Sequence, residues 1–361
     1  MAEPLKFMFT DAKIQEVARI MGKHYKAFPT KDFLANFKTT TWKNAELKAR
    51  VKLIAEALHT SLPASYSKAI DILIPASQEM HWGYFSIFFP EFVSMYGLEH
   101  WDDSMRALEE FTQTSSAEFA IRFFIVKDEK RAMKQMLKWS KSKNHHIRRL
   151  ASEGCRPRLP WGMKLQSFVE NPEAILPILE NLKADPELYV RKSVANNLND
   201  ISKDNPHIAL AIAKSWLGNN DDTDWIVNHA MRGLLKSGNK DALKLFGHHD
   251  SKGFDIHGLN ISPTKINLGD VVQFHFQISN TTKKTLACRL EYAVDYFKSN
   301  GKHSRKIFQI TKRDLDPGAH SFKRSQRFQD FTTRKHYSGK HHIAIVVNGV
   351  ELAKGEFVLM C

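Results

Sequence analysis

The chain has 361 residues, 42% of them hydrophobic and 25% charged, which is enough to build two domains with substantial cores. It contains no run of about 18 consecutive apolar residues, which excludes a transmembrane helix, and its start, Met-Ala-Glu-Pro-Leu-Lys, lacks the hydrophobic region and cleavage site of a signal peptide. The formal charge is +14, and residues 251–361 carry 18 Lys and Arg against 9 Asp and Glu, whereas the first 250 residues carry 35 against 30. Positive charge concentrated in one region favours a polyanionic partner such as nucleic acid. Cys155, Cys288 and Cys361 show neither metal spacing nor a disulfide framework, which fits a reducing cytoplasm.

Helical spacing begins with Ile14, Val17, Ala18 and Met21, after Asp11 as a plausible N-cap, and continues with Leu47, Val51, Ile54, Ala55 and Leu58. The same pattern runs through 64–74, 83–96, 101–111, 116–122, 130–140, 172–182, 186–201, 208–217 and 225–235. Three nine-residue segments within this region read alike. They are Ile147-Arg-Arg-Leu-Ala-Ser-Glu-Gly-Cys155, Val190-Arg-Lys-Ser-Val-Ala-Asn-Asn-Leu198 and Ile226-Val-Asn-His-Ala-Met-Arg-Gly-Leu234. Positions one and five share a helical face, and spacings of 43 and 36 residues suggest HEAT-like repeats. Between the first two copies lie Arg156, Pro157, Arg158, Pro160 and Trp161, which a plain solenoid does not need.

After Gly247 the period changes to two. Val272, Phe274, Phe276 and Ile278 alternate with polar residues, as do Leu286, Cys288, Leu290, Tyr292, Val294 and Tyr296. Ile343, Ile345 and Val347 lead into Asn348-Gly349, a strong hairpin signal. The expected architecture is therefore an all-α HEAT-like repeat solenoid over residues 1–250, followed by a small all-β immunoglobulin-like sandwich over 258–361. The boundary is expected within His248–Gly258. The sandwich turns read as basic: Lys283-Lys284, Lys302 to Lys306, and Arg334-Lys335-His336-Tyr337.

Several residues admit both a structural and a chemical reading. Glu118 follows Ser115 and Ser116 and could be a first-turn acid in a capped helix, or a carboxylate held near a cleft. Asp200 reads as the end of a repeat helix, where an acid opposes the macrodipole, and could be a turn residue or functional. Glu153 and Arg149, four apart, could form a helix pair worth about 0.2–0.5 kcal/mol in isolation. Trp161 could be a packing anchor or a base platform. No phosphate-binding glycine loop, His-Glu-x-x-His or nucleophile elbow is present, and His145-His146, His248-His249 and His341-His342 are poor metal sites because adjacent residues point apart. Neither a metal nor a cofactor is expected.

At these residues the sequence resembles the AlkC-type DNA alkylation-repair glycosylases, a branch of the HEAT-like glycosylase superfamily. The likeness runs through Tyr96-Gly-Leu, Ser104 to Leu108, Ser116-Ala-Glu-Phe-Ala-Ile-Arg122, His145 to Gly154, Arg156 to Trp161 and Val190 to Asp200. Phe123-Phe124 departs from the proline expected there. The resemblance implies removal of 3-methyladenine, with 3-methylcytosine as a further candidate, from duplex DNA that is bent rather than read through a deep base pocket. It implies a monomer with no membrane association. Glu118 and Asp200 match the family's catalytic carboxylates, and Trp161, Arg149 and Glu153 match positions near the lesion. Arg148, Arg156, Arg191 and Lys192 are then assigned to backbone phosphates, and Lys283, Lys284, Arg334, Lys335, His336 and Tyr337 to a grip on the duplex. The rival reading is a non-enzymatic HEAT-type scaffold that binds nucleic acid. It accounts for the repeats and the charge but not for acids embedded among basic residues.

Overall fold

The computed structural model describes residues 4–80, 83–248, 251–331 and 334–361. They form two compact units, Met1–Ala230 and Met231–Cys361. The change from helix to strand falls later, between Leu245 and Phe254, so two short helices, Arg232–Lys236 and Lys240–Leu245, group with the strands. Residues 249 and 250, within the expected boundary, lie outside the described residues, and so does one member of the His248-His249 pair.

The first unit is a stack of helices. Where the sequence is strongly periodic, the helix and its buried face coincide: Asp11–His24 buries Ile14, Val17, Ala18 and Met21, and Leu47–Ser61 buries Val51, Ile54, Ala55 and Leu58. Thr10, not Asp11, is the N-cap of the first, its side chain accepting from the Lys13 amide at 3.3 Å. The first two copies of the repeat motif fall on helices His145–Gly154 and Leu188–Asp204, while the third begins on Asp221–Ala230 and runs past its end to Leu234; the second helix packs against both of the others. Positions one and five of each copy, Ile147 and Ala151, Val190 and Val194, Ile226 and Ala230, are all buried. Asn144 caps the first of these helices by accepting from the His146 amide. The glycine at position eight of that copy answers to close packing, since a Cβ on Gly154 would meet Ile121 Cγ2 at 2.6 Å.

The strands of the second unit are β1 (Phe254–Ser262), β2 (Lys265–Asn267), β3 (Val271–Asn280), β4 (Leu286–Phe297), β5 (His303–Leu315), β6 (Gly318–Arg327), β7 (Gly339–Val347) and β8 (Val350–Met360). They make a three-stranded sheet ordered β1-β3-β6 and a five-stranded sheet ordered β2-β8-β7-β4-β5, an immunoglobulin-like sandwich. The alternating residues of β3, β4 and β7 meet in one core that includes Val272, Phe274, Phe276, Leu290, Val294, Ile343, Ile345 and Val347. β7 and β8 join through Asn348 and Gly349 at φ 47° and 79°, the left-handed pair that a two-residue hairpin turn demands. Of the stretch Lys302 to Lys306, only Lys302 lies in a turn, because β5 starts at His303.

Candidate active site

Helix Leu188–Asp204 carries two stripes. Val190, Val194, Leu198 and Ile201 form the apolar one, while Ser193, Asn197 and Asp200, spaced i, i+4, i+7, form a polar one that is equally buried. The polar stripe meets the end of helix His145–Gly154. Asn197 Nδ2 donates to the Ser152 carbonyl at 2.8 Å, and Ser193 Oγ donates to Glu153 Oε2 at 2.6 Å. Arg156, just past that helix, donates from Nη1 to Glu153 Oε1 at 2.7 Å and from Nε to Asp200 Oδ2 at 2.9 Å. Arg149, one turn earlier, donates from Nη1 to Ser116 Oγ at 2.6 Å and to Glu118 Oε2 at 2.9 Å, with Nη2 3.6 Å from Glu153 Oε1. Lys203 Nζ completes the row, donating to Asp200 Oδ1 at 2.8 Å. Glu118, Arg149, Glu153, Arg156, Asp200 and Lys203 thus alternate in sign across three segments of chain.

Such a row is stable only as a whole. Glu118, Glu153 and Asp200 are 8%, 7% and 1% exposed, so removing one partner from the buried part strands a charge and costs about 3–5 kcal/mol. Burial alone would lower the Arg149 and Arg156 guanidinium pKa values, but the facing carboxylates outweigh it and hold both above their usual range. The row is less enclosed at Glu118 than at Asp200. There the half-exposed Tyr189 lays its ring 5.2 Å from the Arg149 guanidinium.

Trp161 follows Arg156 of this row by five residues, on a loop held from within. Arg122 is fully buried, with no carboxylate partner among the described residues. It donates instead to the carbonyls of Gly154 and Arg156, each at 2.8 Å, and from Nε to that of Met163 at 2.9 Å, so it grips both ends of the loop. Burial pushes its guanidinium down to about 10. The tip of the loop puts Trp161 at φ 65°, a left-handed conformation uncommon for a non-glycine residue, with the residue 60% exposed and its carbonyl taken by the Lys48 ammonium. The Tyr84 ring approaches edge-on at 6.3 Å.

The structure therefore gathers Glu118, Arg149, Glu153, Arg156 and Asp200, and several sequence expectations change in detail. Glu118 lies in the turn before helix Ile121–Lys127, and neither serine caps that helix: Ser115 donates to the Gly83 carbonyl and Ser116 accepts from Arg149. Asp200 is not helix-terminal, because the helix runs on to Asp204. Glu153 and Arg149 are neighbours, but each has a closer partner than the other. Arg148, expected on phosphate, forms a bidentate pair with Asp185 at 2.6 and 3.0 Å and also holds two carbonyls. Arg191 binds the Asp185 and Pro186 carbonyls and pairs with Asp222, and Arg156 is consumed by the row itself. Lys192 is exposed. In the strand unit Lys283, Lys284 and Lys335 are exposed and Tyr337 is half-buried. Arg334 leans on Tyr296, and His336 is buried, its amide and Nδ1 both directed at Asp330 Oδ1, so it offers no contact to a phosphate.

Sequence reasoning read Ser116 only as a possible helix cap and did not single out Ser193, Lys203, Arg122, Tyr84 or Tyr189. One available signal was the buried polar stripe: Ser193, Asn197 and Asp200 keep helical spacing as strictly as the apolar stripe beside it.

Comparison with known proteins agrees with both units. Residues 112–234 match the family model described as DNA alkylation repair enzyme, and residues 255–361 match that of the YhaZ C-terminal Ig-like domain. The chain is 41% identical to the YhaZ protein of Bacillus subtilis over 346 residues, 96% of each chain. It is also similar to a solved structure of the Pseudomonas fluorescens alkylpurine DNA glycosylase AlkC bound to DNA containing an abasic site analog. That match has 39% identity and a TM-score of 0.96, and covers 99% of this chain and 100% of that one.

Proposed function

We infer, for a chain that belongs to the AlkC-type family of DNA alkylation repair, that its helical unit is a DNA glycosylase of base excision repair. Its substrates in this reading are cationic alkylated bases in duplex DNA, 3-methyladenine first and 3-methylcytosine second. The observation that carries the proposal is the buried row of three carboxylates interleaved with cations, with an exposed tryptophan on the loop that leaves Arg156. Three carboxylates buried together are costly unless every one is paired, and a scaffold that only binds DNA has no use for such a row.

The chemistry follows from the leaving group. An N3-alkylated purine is already cationic, so the bond from C1′ to the base nitrogen breaks with both electrons going to the base, and no acid is required. The sugar is left as a cation, and water attacks C1′ and loses a proton. Glu118, the least enclosed acid with a turn-borne carboxylate fixed by Arg149, is assigned to orient that water and take its proton. Asp200 is assigned to electrostatic stabilisation of the sugar cation. Both its oxygens accept hydrogen bonds, but Lys203 is half exposed, and a backbone phosphate that draws this lysine away leaves one Asp200 oxygen free. Trp161 offers an aromatic face to the cationic nucleotide, worth about 0.5–2 kcal/mol. Arg149 and Arg156 hold the acids in register.

The exposed Lys192 of the helical unit and Lys283, Lys284, Lys335 and Tyr337 of the strand unit are assigned to the duplex. The DNA bound to the Pseudomonas relative supports such a partner. A monomer acting on DNA in the cytoplasm completes the reading. The alternative is a non-catalytic DNA-binding scaffold, and Glu118→Gln and Asp200→Asn separate the two. The glycosylase reading expects each variant to bind methylated duplex DNA as well as the parent and to lose excision. Full excision by both variants would overturn the site assignment.

A further inference from the structure

Next to the row lies a cavity of about 320 Å³, within the range of about 300–1,000 Å³ typical of small-molecule sites. Tyr84, Phe119, Phe123 and Trp161 give it aromatic walls, and Glu91 and Lys48 are its charged lining residues. Lys48 is already committed to the Trp161 carbonyl, so it is not free to meet a phosphate. Among the described residues no side chain donates a hydrogen bond to the Glu91 carboxyl, and burial raises its pKa against the opposing charges of Lys48 and Lys52. Two links join the cavity to the row: Phe119 follows Glu118 in the chain, and Tyr84 is close enough to Glu118 for that acid's charge to add to burial in raising the tyrosine pKa.

Resting on the glycosylase reading, we propose that this cavity receives the released base, a planar alkylated heterocycle without sugar or phosphate, with an N–H edge directed to Glu91. Aromatic walls suit a flat ring with a π face, and a partially desolvated carboxyl without a side-chain hydrogen-bond donor among the described residues is an acceptor for a ring amino group. A nucleotide is disfavoured because its phosphate would meet Glu91 and a lysine already engaged. The site therefore acts after the bond is cut. This is distinct from a pocket that takes a base still attached to DNA.

The test is calorimetric titration of the full chain with free 3-methyladenine, alongside single-turnover excision from methylated duplex DNA. Saturable one-to-one binding is expected, weakened about tenfold or more by Glu91→Gln and by Phe123→Ala and unchanged by Glu118→Gln. Single-turnover excision by Phe123→Ala should equal that of the parent, while inhibition of multiple turnover by added 3-methyladenine should weaken in that variant. Absence of saturable binding, or equal binding by parent and both variants, would overturn the proposal. A slowed single turnover in Phe123→Ala would overturn it differently, by showing that the cavity serves the base before cleavage. Excision without base binding removes the cavity proposal alone, whereas base binding without excision removes the glycosylase reading and, with it, the cavity's role in receiving a released base.

Discussion

The arginines and the lysines expected on DNA are held differently, and most of those arginines lie in the helical unit. In the helical unit the arginines nearest the site are held inside the protein: Arg149 and Arg156 between carboxylates, Arg148 on Asp185, and Arg122 on three carbonyls. In the strand unit Lys283, Lys284 and Lys335 stand exposed on loops. Arginine, with five donors in a rigid fork, suits the fixing of buried acceptors, while lysine is a mobile point charge suited to solvent and phosphate. Near the site these arginines organise acids, whereas Lys283, Lys284 and Lys335 face solvent.

This contrast can be broken or sharpened by substitution, and the largest effect is expected at Glu118. Glu118→Gln should lower single-turnover excision by about 10²- to 10³-fold with DNA affinity retained, as read by base release and a filter-binding titration. Next is Glu153, which ties Arg156 and Ser193 together. Glu153→Ala should destabilise the helical unit by about 3–5 kcal/mol, seen in its thermal melt by circular dichroism. Arg148→Ala should also act on stability, lowering the melting temperature without changing the salt dependence of DNA binding, because Asp185 is left without its bidentate partner.

The fourth effect depends on pH and belongs to the strand unit. Burial, reinforced by neighbouring histidines, lowers the folded-state pKa of His341 below 6.5, and burial lowers that of His342 as well. The unfolded chain therefore binds protons first as pH falls. Their contribution to stability should be constant above about pH 6.5 and decline below it, by at most about 1.4 kcal/mol per pH unit for each histidine, until the folded pKa is passed. His341→Phe should flatten that decline in denaturant titrations between pH 7 and 5. The smallest effect is expected from Lys283→Gln with Lys284→Gln. Stability should be unchanged, while the slope of log affinity against log salt should become shallower by about 0.9 for each phosphate that these lysines no longer neutralise.

Much of this architecture was legible because burial imposes a period. Ile14 to Met21, Val51 to Leu58 and Val272 to Ile278 show their buried faces directly in the sequence, and Asn348-Gly349 shows its turn. Helices such as Thr30–Ala35 and Gln166–Glu170 span five or six residues, too few to display a period, and the register shift between His257 and Asn260 obscures the alternation of β1. In the site, Glu118, Arg149, Glu153 and Asp200 stood out by residue type and resemblance, but their partnerships did not. Arg156 reaches Asp200 across 44 positions and Arg148 reaches Asp185 across 37, and no spacing rule distinguishes an arginine facing a buried acid from one facing phosphate. That is why Arg148, Arg156 and Arg191 read as phosphate contacts in the sequence and as internal braces in the fold.

The most direct test of the central claim is to incubate the purified protein with methylated duplex DNA, without added metal or nucleotide, and quantify the released bases by mass spectrometry. Release of 3-methyladenine at a rate proportional to enzyme concentration is expected. Tight, salt-sensitive binding to the same DNA with no base released would contradict it and leave the scaffold reading in its place.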